Sequence, residues 1–429
     1  MWKQSTPLHP TFQPLNACLP EDWFLLPFEL KLQRAHACAL HAAGILSDSE
    51  HAGLGDALDE IEGEFVGAPC PESDAEDIHT WIEGKLTTIA GEAGKKIHTA
   101  RSRNDQIATL LKLYVIDTGR RLAAGLQEVI VVCCEKAHAW ADLAFPLQTH
   151  QQFAAPGSAG FWSLRYAASF DRVLRHLRLM LVEWSRHCPL GSGAVAGSSI
   201  PIDRRIQARE LGFEEPSLNA LDSTCTRDEC LEILALASQA ALHLQSFATD
   251  VIVFSQAALG WTKYPAAFAT GSSMMPNKVN PDAMELLRGQ CNTVIAAHYE
   301  LVSILKGLPS GYNRDLQCVK PVLHRGVETL HSLLQMAAAF IRQLDFDPER
   351  LAASLQSGNI NATLRMEENV QGGTPLREAH HAVAAEIAQS SDPAAPAIDS
   401  PLHRYQTIGG PNPDEVRRIA RVIMDSVTT

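Results

Sequence analysis

The sequence predicts an all-α fold, and three observations carry that prediction. Proline is absent from residues 72–145, 157–188, 217–264, 282–308 and 322–347. Because proline costs roughly 3 kcal/mol in a helix interior, such gaps permit long helices. Apolar residues also recur at helical spacing: Ile107, Leu110, Leu111, Tyr114 and Val115 fall at i, i+3, i+4, i+7 and i+8, and Val129, Ile130, Cys133 and Cys134 continue the stripe. Finally, few segments alternate with period two, and the β-branched run Val129–Val132 lies inside the helical pattern.

Taken in order, residues 1 to about 100 read as a first region of several shorter helices, with loops near Pro69–Ser73. Residues 101–347 hold the long helices. Within them, 229–256 is apolar on nearly every face and rich in Ala, as expected for a helix buried in a bundle or between subunits. After Phe346-Asp347-Pro348, residues 348–429 carry shorter elements, and Ser390–Pro401 reads as an irregular loop. Three helical regions are expected, without an internal repeat.

A chain of 429 residues, 46% hydrophobic and 20% charged, falls among globular proteins and away from disordered or fibrous classes. Its net charge of −13 makes nucleic acid or an anionic membrane surface a poor partner. A small anionic substrate stays open, because local arginines and lysines decide that. The ten cysteines form no CxxC pair and no Cys/His ladder of zinc type, so free thiols in a reduced, cytoplasmic setting are expected. The opening MWKQSTPLHPTF has neither an apolar signal core nor an Arg/Ser-rich transit character. No stretch approaches the roughly 18 to 20 uncharged apolar residues of a membrane span.

Four polar stretches, two of them with glycine, interrupt the helical text, and loops mounted on rigid helices are where binding groups tend to sit. In the first, His98–Gln106, two arginines, a serine and an asparagine offer forked and amide donors suited to carboxylates. A helix cap with a solvated turn reads equally well there. The second, Thr149-His150-Gln151-Gln152, would place a histidine at the start of a helix, as an acid or base or as a structural side chain. In the third, Gly271–Asp282, Asn280 and Pro281 read as the N-cap and first residue of a helix that continues through Glu285. The preceding Gly-Ser-Ser loop then lies beside a positive helix end, with Lys278 adding charge, an arrangement suited to a developing anion. No Gly-Lys-Ser/Thr follows at phosphate-loop spacing. The fourth runs from Gly311 through Gln317 to Lys320 and could be a solvated helix face. Gly191–Gly197 is a further glycine-rich loop, read as a tight turn with close backbone approach.

Together these strings resemble the argininosuccinate lyase family, within the aspartase/fumarase superfamily. GSSMMPNKVNP is similar to the superfamily's signature loop, and HTARSRNDQ, GSGAVAGSSIPIDR, Ser223–Asp228 and LPSGYNRDLQ match the argininosuccinate lyase branch. The likeness runs from about Asn16 to about Lys320, with weaker traces to His380. It implies an all-α homotetramer with a central bundle of long helices, each site built from loops of three subunits. It also implies a carbon–nitrogen lyase that eliminates arginine from argininosuccinate, in arginine biosynthesis, through an aci-carboxylate intermediate. By the same resemblance Ser272 is the base, Lys278 and Asn280 hold the aci-carboxylate, and His150 is an acid or a relay with Glu285. Ser102, Arg103, Asn104 and Thr149 grip the succinyl carboxylates, while Asp22, Tyr312, Gln317 and Lys320 bind the arginine half. No metal or organic cofactor is implied, since the elimination needs neither.

The chain departs from the family pattern at several points. Asn16-Ala17-Cys18 replaces a serine with a thiol, and Ala100 stands where the family has glycine. Ala155 replaces a glutamine, Leu364 an aspartate, and the string around Thr149 is altered. These weaken the leaving-group assignment and leave a paralogous lyase releasing another amine, or a non-catalytic homologue, as alternatives.

Overall fold

The computed structural model describes residues 8–389 and 400–428. Of the expected loop over Ser390–Pro401, only Ser400 and Pro401 are among them, and the first seven residues of the opening string also lie outside. The fold is all-α. Its long helices are Arg103–Ala139, Ala159–Trp184, Asp228–Phe254, Asp282–Leu305 and Val319–Gln343, each within or overlapping a proline-poor stretch. Among the described residues, sheet is confined to two-stranded ladders, and no helix is long and apolar enough to cross a membrane.

Two compact units divide the chain, each stitched from three stretches. The first takes in residues up to Arg121, Leu177–Ala237 and Val294–Glu328. Its shorter helices start where local chemistry dictates. Ser47 and Glu50 form a reciprocal capping box at the head of Asp48–Phe65, and the Asp77 carboxylate accepts the Thr80 N–H at 2.7 Å to begin Ile78–Ala90. Leu26, Leu30, Leu40, Leu54, Leu58, Ile61, Ile82 and Leu86 fill the core between these helices. Trp81 meets Trp23 and Phe65 edge-on, with centroids 5.1 and 4.8 Å away.

The second unit comprises Leu122–His176, Ser238–Thr293 and Thr329–Thr429. It contains an element the sequence does not announce, an antiparallel hairpin of Ala144–Thr149 and Gln152–Ser158. Polar and apolar residues do not alternate cleanly in either strand, and each carries a proline. Pro146 and Pro156 face each other, which a two-stranded ladder tolerates because each strand keeps a free edge. A bulge beside Leu147 leaves Ala154 without a cross-strand partner. The hairpin is anchored by aromatic rings rather than by its ladder. Phe145 packs against Phe254, Trp261 and Phe346 at 5.2, 5.3 and 5.5 Å, and Phe153 stacks on Trp261 at 6.2 Å. Each such pair contributes about 0.5–1.5 kcal/mol beyond simple burial.

The segment expected to be apolar on nearly every face buries one side and leaves Glu232, Gln239, Leu242 and Thr249 exposed. Ile233, Leu234, Ala237, Ala240, Ala241, Leu244, Ala248 and Val251 are all buried, whereas Leu242 is 55% exposed.

Candidate active site

The first unit gathers most of the residues that the sequence assigns to substrate binding. Arg103 and Asn104 open the Arg103–Ala139 helix, while Tyr312, Gln317 and Lys320 come from the turn and helix that follow Gly311. These five line one cavity of about 130 Å³, together with Cys18, Asp77, His79, Ile107 and Arg314. Asp22 lies beneath, fully buried, paired with Lys320.

Lys320 is itself 4% exposed, so its charge exists only because of its partners. Burial works against the ammonium, but Asp22 and Cys18 overcome it and hold the lysine above its ordinary range. The Cys18 thiol donates to Asp22 Oδ2 at 3.3 Å and receives Lys320 Nζ at 3.5 Å. Burial pushes this thiol up to about 12, against the pull of Lys320. It is therefore a neutral donor at physiological pH and not a nucleophile.

Arg103 is held by Thr80 Oγ1 at 2.7 Å and by Asp77 Oδ2 at 3.3 Å. Asp77 would be raised by burial, yet His79, Arg103 and the Thr80 N–H keep it below the usual carboxylate range. Beside it, His79 sits 3.1 Å from the buried Glu29. Burial disfavours the imidazolium, and Glu29, Asp77 and Asp22 more than compensate, raising the histidine. Arg314 closes one side: it donates to the Asn16 carbonyl at 2.9 Å, to Glu76 Oε1 at 2.8 Å and to Gln317 Oε1 at 2.6 Å. Ser102, the remaining member of the turn, receives the Asn104 N–H on its hydroxyl at 3.3 Å.

Asp77, His79 and Arg314 were not singled out by the sequence. Asp77 and Thr80 form a helix-cap pair that could have been read as such; His79 looks like an ordinary helical residue until Glu29 is placed beside it.

The second unit holds the other candidates. Thr149 and His150 occupy the tip of the hairpin, not the start of a helix, which begins only at Ala159. His150 and Gln151 are the two loop residues, with φ of 52° and 60°. Positive φ at both central positions is the turn geometry that matches strand twist, and it leaves the imidazole exposed.

The signature loop is closed by a ladder pairing Thr270 with Asn280 and Gly271 with Val279. Asn280 is thus a strand residue, and the Asp282–Leu305 helix follows it, with the Glu285 N–H bonded to the Pro281 carbonyl at 3.2 Å. The helix starts slightly later than Asn280-Pro281 suggests, because Asn280 is committed to the ladder. Asp282 reaches back to the Thr270 N–H at 3.2 Å and to its hydroxyl, tying the loop's base. Inside the loop, Ser272 Oγ accepts the N–H groups of Met274 at 3.3 Å and Met275 at 3.0 Å. Lys278 is exposed on the returning arm, and Glu285 is exposed on the first turn of the helix. Among the described residues no hydrogen bond joins His150 to Glu285, and no group of three or more His, Cys, Asp or Glu is arranged to hold a metal ion.

Two of the departures acquire a structural meaning. Ala100 has φ of 63°, the left-handed region that favours glycine, so the residue expected there was glycine for a backbone reason. Leu364 is 4% exposed, an apolar core residue on Ala362–Gln371.

A family model described as lyase matches residues 20–296. The argininosuccinate lyase of Acidobacterium capsulatum is 37% identical over 384 residues, covering 88% of this chain and 79% of that protein. That of Koribacter versatilis is 37% identical over 390 residues, covering 90% and 83%. Among solved structures, an EDDS lyase variant with bound fumarate matches with a TM-score of 0.84 at 20% identity, over 99% of this chain and 91% of that one. Fumarate lyase:delta crystallin from Brucella melitensis, bound to cobalt, matches at 0.76 and 17% identity, over 99% and 93%. At such identities the structural likenesses establish the fold.

Proposed function

We propose that this chain, which belongs to the argininosuccinate lyase family of the aspartase/fumarase superfamily and is a carbon–nitrogen lyase, cleaves argininosuccinate to arginine and fumarate. One observation carries the substrate assignment. Arg103 and Asn104, suited to a succinyl carboxylate, share a single cavity with Tyr312, Gln317 and Lys320, which in the family take the arginine half. A ligand that joins a succinyl group to an amine needs both sets at once.

The elimination begins with removal of a proton from the carbon next to a carboxylate. Ser272 is the base. A serine hydroxyl is a poor one unless its alkoxide is stabilised, and the two N–H groups aimed at its Oγ supply that stabilisation. Lys278 and Asn280 hold the doubly charged aci-carboxylate, whose collapse breaks the carbon–nitrogen bond. His150, free at the hairpin tip, serves the proton delivered to the departing nitrogen, directly or through Glu285. Ser102 and Thr149 complete the grip on the succinyl carboxylates.

The enzyme works as a homotetramer in which neighbouring subunits complete each site. A cavity of about 130 Å³ is small beside the roughly 300 Å³ and above of sites that enclose a whole ligand, so other segments must cover the remainder. Exposed apolar side chains on the long helices suit packing against further copies: Leu179 and Val182 are 65% and 63% exposed, Leu286 65%, and Tyr299 67%. Cys18 favours a second reading, in which the same chemistry releases a different amine, because a thiol stands where the family has a substrate-contacting serine.

Replacing Ser272 with alanine tests the base. Fumarate release is expected to fall by at least about a thousandfold with the assembly intact; turnover near the parent level would remove Ser272 from that role.

A further inference from the structure

We propose that Asp105 is a positioning residue that mounts the substrate-gripping turn Ser102–Asn104 on the glycine-rich loop at Gly191–Gly193. Its carboxylate is fully buried and spans two segments far apart in the chain. One oxygen accepts the Ser102 N–H at 2.9 Å; the other accepts the N–H groups of Gly191 at 2.9 Å and Gly193 at 2.8 Å. A second tie runs parallel, from Asn104 Nδ2 to the Ala194 carbonyl at 3.0 Å. The gripping turn and the loop are thereby joined side by side.

The loop itself is a fixed support. Arg204 holds it from behind, donating to the Leu190 carbonyl at 2.9 Å and to the hydroxyls of Ser192 at 3.0 Å and Ser217 at 2.8 Å. Ser192 is in turn bonded to Ser223 at 2.7 Å. At Gly193 the backbone has φ of +62°, and a Cβ would lie 2.5 Å from the Gly197 carbonyl oxygen, so only glycine fits. Three strings with no assigned role in the chemistry, the Asp105 end of the first stretch, the glycine loop and the Ser223 turn, thus form one mount.

The chemistry requires a carboxylate. Three backbone donors converge on two oxygens that donate nothing, whereas an amide of the same shape would turn its own NH₂ toward an N–H. Burial raises this carboxyl to about 6, while the Ser102 and Gly193 N–H groups, Arg101 and the Gly191 N–H pull the other way. The charged and titratable neighbours facing it are Arg101, Arg204 and Cys188. As pH falls through about 6 the group takes up a proton, an oxygen becomes a hydroxyl, and the mount loosens.

What the turn grips rests on the proposed function; the mount does not, and the test separates them. Amide hydrogen exchange is followed across 189–195 in the parent protein and in Asp105→Asn, without substrate. Exchange in the variant is expected to rise about tenfold or more over this segment while the Phe145–Phe153 hairpin is unchanged, and in the parent the segment's protection, taken relative to the intrinsic rate at each pH, falls as pH drops from 7 to 5. Kinetically, Asp105→Asn should raise KM about tenfold with kcat within a few-fold, and should flatten the part of the KM–pH profile that climbs below pH about 6. Unchanged protection overturns the mount. So does a KM unaltered in an active variant. Should the variant fail to fold, the parent's exchange profile decides alone. Failure of the parent to turn over argininosuccinate counts against the substrate assignment only.

Discussion

At the scale of single residues, the cavity proposed for the arginine half rests on one buried ion pair. Asp22 is 0% and Lys320 4% exposed, so each is the other's charge compensation out of reach of water. Lys320→Met leaves Asp22 uncompensated and is expected to destabilise the protein by roughly 3–5 kcal/mol, while the double change with Asp22→Asn recovers most of the loss; urea unfolding midpoints check both. Because Lys320 is raised above its ordinary value, the pair's contribution is whole at neutral pH and is lost only as pH climbs through that raised value. Midpoints that fall between pH 7 and 9 for the parent but not for the double variant would contradict this. Residue chemistry of this kind was only partly legible beforehand. Asp22 and Lys320 lie 298 positions apart, and their likeness to family strings pointed to a ligand rather than to each other.

At the scale of elements, the long helices were legible because their signal is local. Proline gaps and the 3.6-residue apolar period act within one segment, and the Arg103–Ala139 helix follows the stripe from Ile107 to Cys134. The hairpin was not, because packing rather than alternation holds it: Phe145 and Phe153 pair with Trp261, which is over a hundred residues away. For the proposed chemistry this means that His150 stands on a two-residue turn and not at a helix end. Turns also record where this chain departs from its family. Ala100 carries a conformation that costs an L residue roughly 1–2 kcal/mol. Ala100→Gly is expected to stabilise by about 0.5–1 kcal/mol after the added entropy of the unfolded chain is deducted. A rise of a degree or more in the thermal midpoint supports this, and a fall would mean that the alanine methyl is being used.

At the scale of the whole molecule, the all-α class followed from the sequence, but the two compact units could not. Each is assembled from three stretches, and composition along a chain carries no mark of segments that meet only after folding. The same limit hid Asp105, whose partners stand 86 and 88 residues downstream. Family likeness supplied what local physics could not: the signature loop, the Ser102–Asn104 turn and the Tyr312–Lys320 set stood out as strings, and the structure then gave the strings a physical arrangement. Ser272 faces two N–H donors, Lys320 is held as an ammonium by Asp22, and Arg103 is preset by Asp77 and Thr80. Such preorganisation is what an elimination through a dianionic intermediate demands.

The most direct test is fumarate release, followed by ultraviolet absorbance, from the purified protein given argininosuccinate. Turnover in the usual range of about 1 to 1000 per second is the predicted result. A folded, assembled protein that releases no fumarate from argininosuccinate, yet does so from another N-substituted aspartate, would contradict the substrate assignment and shift the reading to the thiol-lined alternative at Cys18.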